Sequence, residues 1–219
     1  MTVEDFPGLD GLAERARALV RPGRRALLGI TGSPGAGKTT LAEQLVARLL
    51  AAPPAGANGP WVAHVPMDGF HLADTELGRL GRLGRKGAPD TFDAAGYAAL
   101  LRRLREDEDE VIYVPGFERE LEQPIAGALP VPRSARLIVT EGNYLLVDEG
   151  DWARVRPRLD EVWFCAPAEE ERIHRLVARH ERFGKAHDEA VSWALGPDQH
   201  NAELIAATRA RADLVLSPR

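Results

Sequence analysis

The chain has 219 residues, 44% hydrophobic and 28% charged, with a formal net charge of −5, the balance of an ordinary soluble domain with one core. One cysteine excludes an internal disulfide or a cysteine-based zinc site, and the six histidines form no HExxH-like cluster for a transition metal. Interspersed acids and bases exclude a general nucleic-acid binder; with no membrane-length apolar run and no signal-like start in MTVEDFPG, the cytoplasm is the expected compartment and no membrane partner is expected.

Residues 9–20 have helical periodicity, closed by Arg21-Pro22-Gly23. The short apolar run RALLGIT then suits a buried strand, and it is followed by the Gly-rich GSPGAGKTT and the amphipathic LAEQLVARLL. A Pro/Gly-rich connection leads to a second strand, WVAHVPM, which ends at Asp68. Residues 74–92 read as an irregular loop with a short helical piece, and DAAGYAALLRRLRED as a helix that Asp93 is able to cap. VIYVP is read as a strand, GFERELEQPI as a long loop, and RLIVTEG as a buried strand with its acid at the carboxyl end. A short helix near 149–156, the strand EVWFCAP, a helix over 167–184, one or two further helices and the strand ADLVL complete the chain. Cys165, inside EVWFCAP, reads as a buried small hydrophobe.

Strands alternating with helices predict a parallel sheet covered on both faces, with ligands beyond the carboxyl ends of its strands. The Gly-rich loop, Asp68 and Glu141 all fall at such ends.

The loop itself carries the strongest signal. Gly32, Ser33, Pro34, Gly35, Ala36, Gly37, Lys38 and Thr39 match GxxxxGK[ST] at every fixed position, with a strand before and a helix after, and Thr40 follows. Glycines let backbone N–H groups turn around phosphate oxygens, and the helix N-terminus adds partial positive charge. In such loops the lysine reaches the β- and γ-phosphates and the hydroxyl residue holds Mg²⁺, which gives those roles to Lys38 and Thr39 and makes a nucleoside triphosphate and Mg²⁺ the expected ligands. No NKxD for guanine occurs anywhere in the chain. Asp68, at the end of the second strand, has the chemistry of a base that takes the proton of an acceptor hydroxyl.

VPMDGFH, RKGAPDTFD and TEGNYLL, in that order behind the P-loop, resemble the phosphoribulokinase/uridine kinase/pantothenate kinase family, and most of all its bacterial fructokinase-like and nucleoside/nucleotide kinase-like members. The resemblance runs from about residue 26 to the C-terminus. It implies a single P-loop kinase domain over 1–219, of three-layer α/β/α form with a mostly parallel sheet. Acceptor-binding insertions are expected at about 69–93 and 116–130, and a helical lid at about 168–187. It makes Asp68 the general base and gives Glu141 support of Mg²⁺ through water. It also draws His71, Arg85, Lys86, Asp93, Arg119 and Asn143 toward the acceptor. Arg172, Arg175, Arg179 and Arg182 step along one helix face; the resemblance makes them lid arginines, with Arg175 and Arg179 as catalytic residues beside Lys38. Lys185 stands just past that helix.

The implied activity is transfer of the γ-phosphate of ATP to a hydroxyl of a small metabolite, a fructose-like sugar or a nucleoside, with pantothenate or glycerate as alternatives. GFERELEQP lacks the YDFxxHxR of uridine kinases, so the resemblance leaves the acceptor open. A nucleotide-binding regulatory ATPase without a small acceptor is the reading from a different class. The expected partner is a small-molecule acceptor, with a homodimer as the one assembly considered.

Overall fold

A computed structural model describes residues 8–57 and 59–217; residues 1–7, read above for a leader, lie outside the described residues. In chain order the elements are α1 (Gly8–Ala18), β1 (Ala26–Gly32), α2 (Lys38–Leu50), β2 (Val62–Pro66), α3 (Asp74–Arg79), α4 (Ala94–Glu106), β3 (Val111–Glu118), β4 (Gln123–Pro132), β5 (Leu137–Glu141), β6 (Glu161–Cys165), α5 (Glu169–Arg182), α6 (His187–Leu195), α7 (Pro197–Ala206) and β7 (Leu214–Leu216). The segment read as a short helix near 149–156 is two successive 3-10 turns, Gly150–Arg154 and Arg156–Arg158.

Five strands form one parallel sheet in the order β2-β5-β1-β6-β7. Every residue of β1 and β5 is buried, which is why these strands read as continuous apolar runs without alternation. One face of the sheet packs on α1 and α2 through Leu12, Leu28, Ile30, Leu45 and Trp163. The other packs on α4 and the turns after β5 through Leu27, Phe92, Tyr97, Leu101, Tyr144 and Trp152. Helices on both faces make the three-layer architecture. The chain leaves central β1 for outer β2 and returns to fill the gap with β5, so the carboxyl ends of β1, β2 and β5 adjoin at the place where such sheets bind ligands.

The expectation of a strand at 111–115 followed by a long loop needs correction. β3 and β4 form an antiparallel two-stranded ribbon outside the parallel sheet, in register from Val111↔Pro132 to Glu118↔Gln123. Pro115, Pro124, Pro130 and Pro132 are tolerated because the ribbon has two edges and a register shift at Val114/Gly116. Ile112 and Val114 are buried between the more exposed Val111, Tyr113 and Pro115, the alternation of a half-covered ribbon. Buried Arg25 fastens its base, donating to the carbonyls of Ala135 (2.7 Å), Leu104 (3.0 Å) and Pro132 (3.2 Å). No described helix is long and apolar enough to cross a membrane.

Candidate active site

Beyond the carboxyl ends of β1, β2 and β5 lies a cavity of about 440 Å³ lined by residues from the P-loop, the segment after β2, the ribbon, the turn after β5, and α5 to α7. Its floor is the P-loop. Gly35 and Gly37 sit at φ 81° and 83°, a left-handed backbone that glycine adopts without Cβ strain. A Cβ on Gly35 would come within 2.7 Å of the Arg172 carbonyl oxygen, so the loop also needs glycine there to let α5 seat on it. Lys38 opens α2, is buried, and donates to the Ser33 carbonyl at 3.1 Å. Burial pushes its amine below the usual lysine range, opposed by Glu141, Cys165 and Asp68.

The two acids meet at adjoining strand ends. Pro66 of β2 pairs in register with Glu141 of β5, so Asp68 stands two residues beyond the level of Glu141. Glu141 is 3% exposed. Burial, reinforced by the Asp68 charge, pushes its carboxyl up to about 7, with Lys38 and the Thr39 hydroxyl partly offsetting the rise. Asp68 is held the other way: burial alone would raise it, but His71, Arg119 and Lys38 together, with the Arg119 hydrogen bond, keep it below the ordinary carboxylate range. Arg119, just past the end of β3, donates to Asp68 Oδ2 at 2.7 Å. The neighbouring carboxyls are thus driven apart, Asp68 toward the ionised form and Glu141 toward the neutral one.

Around Asp68 the wall is aromatic and charge-paired. His71 stacks between Phe92 and Phe117, with ring centroids 4.0 and 4.8 Å away. Its Nδ1 lies 2.8 Å from the Asp68 carbonyl oxygen, and a carbonyl only accepts, so Nδ1 carries the proton. Burial holds the ring below the usual histidine range, opposed by Asp68. Lys86 donates to Asp74 Oδ1 at 2.6 Å and to the Glu122 carbonyl, tying the segment after β2 to the ribbon tip. Lys86 and Arg119 both stand over the Phe117 ring. Gly69 has a separate reason to be glycine: a Cβ there would lie 2.3 Å from the Pro115 carbonyl oxygen, so only a bare Cα lets the ribbon approach Asp68.

Of the residues singled out in the sequence, Pro34, Lys38, Thr39, Asp68, His71, Lys86, Arg119, Glu141, Asn143, Arg179 and Lys185 line the cavity. Arg85 and Asp93 do not, which corrects their expected position against the acceptor. Arg85 forms an exposed ion pair with Asp90, and the Asp93 carboxylate caps α4 by accepting from the Gly96 N–H at 2.7 Å. The four arginines of α5 diverge. Arg172 is buried and bonded to Glu169, the Pro34 carbonyl and Gln199, holding α5 onto the P-loop. Arg175, outside the cavity wall, pairs with Glu171 while its guanidinium lies beside Gly37. Arg182 is exposed, and Arg179 faces the cavity with no ion-pair partner among the described residues. Cys165 is buried, its thiol pushed up to about 12 by desolvation, so it is unreactive. The sequence reading passed over the aromatic ring of Phe117, the Asp74 partner of Lys86, and Trp193, Asp198 and Asn201 on α6 and α7.

A divalent cation suits the donor set at the P-loop. The Thr39 hydroxyl and two carboxylates offer hard oxygen ligands, and a cation would offset the charge that raises Glu141. No group of three or more His, Cys, Asp or Glu side chains gathers around an ion site among the described residues; Mg²⁺ bound chiefly through phosphate and water requires none.

No family model matches the chain. A Schizosaccharomyces pombe protein provisionally named a uridine kinase is 30% identical over 219 aligned residues, covering 97% of this chain and 91% of the relative. The Escherichia coli protein YggC is 30% identical over 201 residues, covering 90% and 79%. Among solved structures, one provisionally described as a fructose transport system kinase from Silicibacter sp. TM1040 superposes with a TM-score of 0.83 at 37% identity, covering 95% of this chain and 98% of that one. YFH7 from Saccharomyces cerevisiae, described as a P-loop kinase with a circular permutation, matches with a TM-score of 0.78 at 19% identity and shares the fold.

Proposed function

The chain belongs to the family of P-loop kinases that includes uridine kinase, and from that premise we propose that it transfers the γ-phosphate of ATP to a hydroxyl of a small neutral polyol, a sugar or a nucleoside. The observation that carries this reading is how the cavity sorts its charges. At the acceptor end each cation already faces a carboxylate: Arg119 with Asp68 at 2.7 Å and Lys86 with Asp74 at 2.6 Å. Lys38 and Arg179 have no carboxylate partner in an ion pair among the described residues, and these are the cations fitted to a triphosphate. A carboxylate-bearing acceptor such as pantothenate or glycerate would meet no unpaired positive charge at the acceptor end, whereas a neutral polyol needs only hydrogen-bonding groups. Lys86, paired with Asp74, offers no unpaired positive charge to an acceptor.

In the proposed reaction Asp68, kept ionised by Arg119 and His71, accepts the hydrogen bond of the acceptor hydroxyl and aligns its oxygen with the γ-phosphorus. A new O–P bond forms, the bridging oxygen to the β-phosphate departs with ADP, and the hydroxyl proton passes to Asp68. A carboxylate of low basicity suits a loose transition state, in which the nucleophile keeps its proton until late. Lys38 and the lid arginine Arg179 hold the phosphoryl oxygens as charge redistributes. Thr39, and Glu141 through water, would hold Mg²⁺, whose chemistry is to neutralise charge on the phosphates. Phe92, Phe117 and His71 form an apolar wall that limits water beside the reacting oxygen.

The test is Asp68→Asn. It should keep ATP affinity within about threefold while kcat for acceptor phosphorylation falls by about 10²–10⁴, the usual contribution of a positioned base. A variant that kept the wild-type rate on the acceptor would refute the role of Asp68. The regulatory-ATPase reading instead predicts ATP hydrolysis that no polyol accelerates.

A further inference from the structure

The α7 side of the cavity carries two polar side chains that the proposed reaction leaves unused. Asp198 and Asn201 are three residues apart on α7, so they stand on one helix face. Both line the same cavity as Asp68 and Glu141, and they are only 8% and 6% exposed. Pro197 in the first turn starts this helix directly after Gly196. The Ser33 hydroxyl seats it on the P-loop by donating to the Ala202 carbonyl at 3.4 Å. Asp198 Oδ2 is joined to His180 Nε2 of the lid helix at 2.7 Å. The Asn201 side-chain amide has no hydrogen-bond partner among the described residues. An amide that lines a cavity without a partner in the protein has its donor and its acceptor available to a ligand group.

Resting on the polyol-kinase reading, we propose that Asp198 and Asn201 form the second half of the acceptor site. They bind hydroxyls of the polyol away from Asp68, and His180 acts as a positioning residue for Asp198. Charge decides which ligand Asp198 faces. A carboxylate repels triphosphate oxygens, so Asp198 is suited to hydroxyl donors of a neutral acceptor. Its surroundings agree: Asp198 and Asp68 both act electrostatically on the Tyr144 phenol, and Tyr144 donates to the Gly87 carbonyl of the acceptor segment. Asn201 supplies both a donor and an acceptor, as one hydroxyl requires, and the carboxylate one turn away accepts from the next. With Oδ2 occupied by His180, Asp198 Oδ1 is left for substrate. Because His180 belongs to the lid, acceptor recognition is linked to the position of the lid helix.

The test measures ADP release by wild type and Asn201→Ala with D-fructose, D-ribose and uridine, each beside analogues lacking one hydroxyl. For an acceptor that turns over, Asn201→Ala should raise its KM at least tenfold while the KM for ATP stays within twofold. One deoxy analogue should show the same KM in both proteins. His180→Ala should raise acceptor KM in wild type but not in an Asp198→Asn background, and His180→Gln should restore it. Should Asn201→Ala not fold, Asn201→Ser carries the same comparison. An unchanged acceptor KM, or equal changes in the KM values for acceptor and ATP with every analogue, overturns the subsite alone. A wild-type protein that phosphorylates none of the polyols overturns the polyol reading and the subsite with it.

Discussion

Replacing Glu141 with Gln should stabilise the protein in the absence of nucleotide and Mg²⁺. The carboxyl is 3% exposed and pushed up to about 7 by burial and by Asp68, against an ordinary value of 4.5. A group whose folded-state pKa is raised binds more protons folded than unfolded, so its contribution to stability declines as pH rises from the unfolded value through the folded one. The window here runs from 4.5 to about 7. The shift of roughly 2.5 units corresponds to about 3 kcal/mol of unfavourable ionisation, fully expressed at pH 8 and under about 1 kcal/mol at pH 5. The neutral, isosteric Gln removes that cost, while the loss of the Glu141 field on buried Lys38 returns part of it. The expected net gain is about 1–3 kcal/mol at pH 8, or several degrees in Tm for a domain of this size. Thermal unfolding of both proteins in EDTA at pH 5 and pH 8 measures it, with the gain largest at pH 8. A variant less stable than wild type at pH 8, or a difference independent of pH, would refute the electrostatic account of this site.

Two further substitutions probe the supports of the site. Gly69→Ala places a Cβ 2.3 Å from the Pro115 carbonyl oxygen, so the ribbon must shift; urea unfolding should show a loss of about 1–3 kcal/mol, and kcat should fall because Arg119 moves from Asp68. Arg172→Met preserves side-chain bulk but removes the bonds to the Pro34 carbonyl and Gln199; leaving those partners unsatisfied should cost about 1–3 kcal/mol and raise the KM for ATP more than that for the acceptor.

The P-loop was legible in the sequence because its chemistry is local: glycines, lysine and hydroxyl occupy fixed spacings between one strand and one helix. Asp68 and Glu141 were legible because each ends an apolar run, and a parallel sheet gathers such ends into one cleft. The ribbon was not legible. GFERELEQPI reads as a loop by itself, while the pairing that makes 123–132 a strand is between chain segments. The Asp93 cap was legible for the same local reason as the P-loop: it stands at the start of an amphipathic helix, and its carboxylate accepts from the Gly96 N–H. Asp198 and Asn201 were hidden because polar residues on a helix ordinarily face solvent. Only the packing of α7 on the P-loop turns that face into a cavity wall.

Phosphoryl transfer from γ-labelled ATP tests the central claim most directly, with D-fructose, D-ribose and uridine compared against pantothenate and glycerate. The account predicts label on at least one neutral polyol, none on the two carboxylates, and little free phosphate in their presence. Label on a carboxylate alone, or free phosphate released at one rate whatever is added, would contradict it.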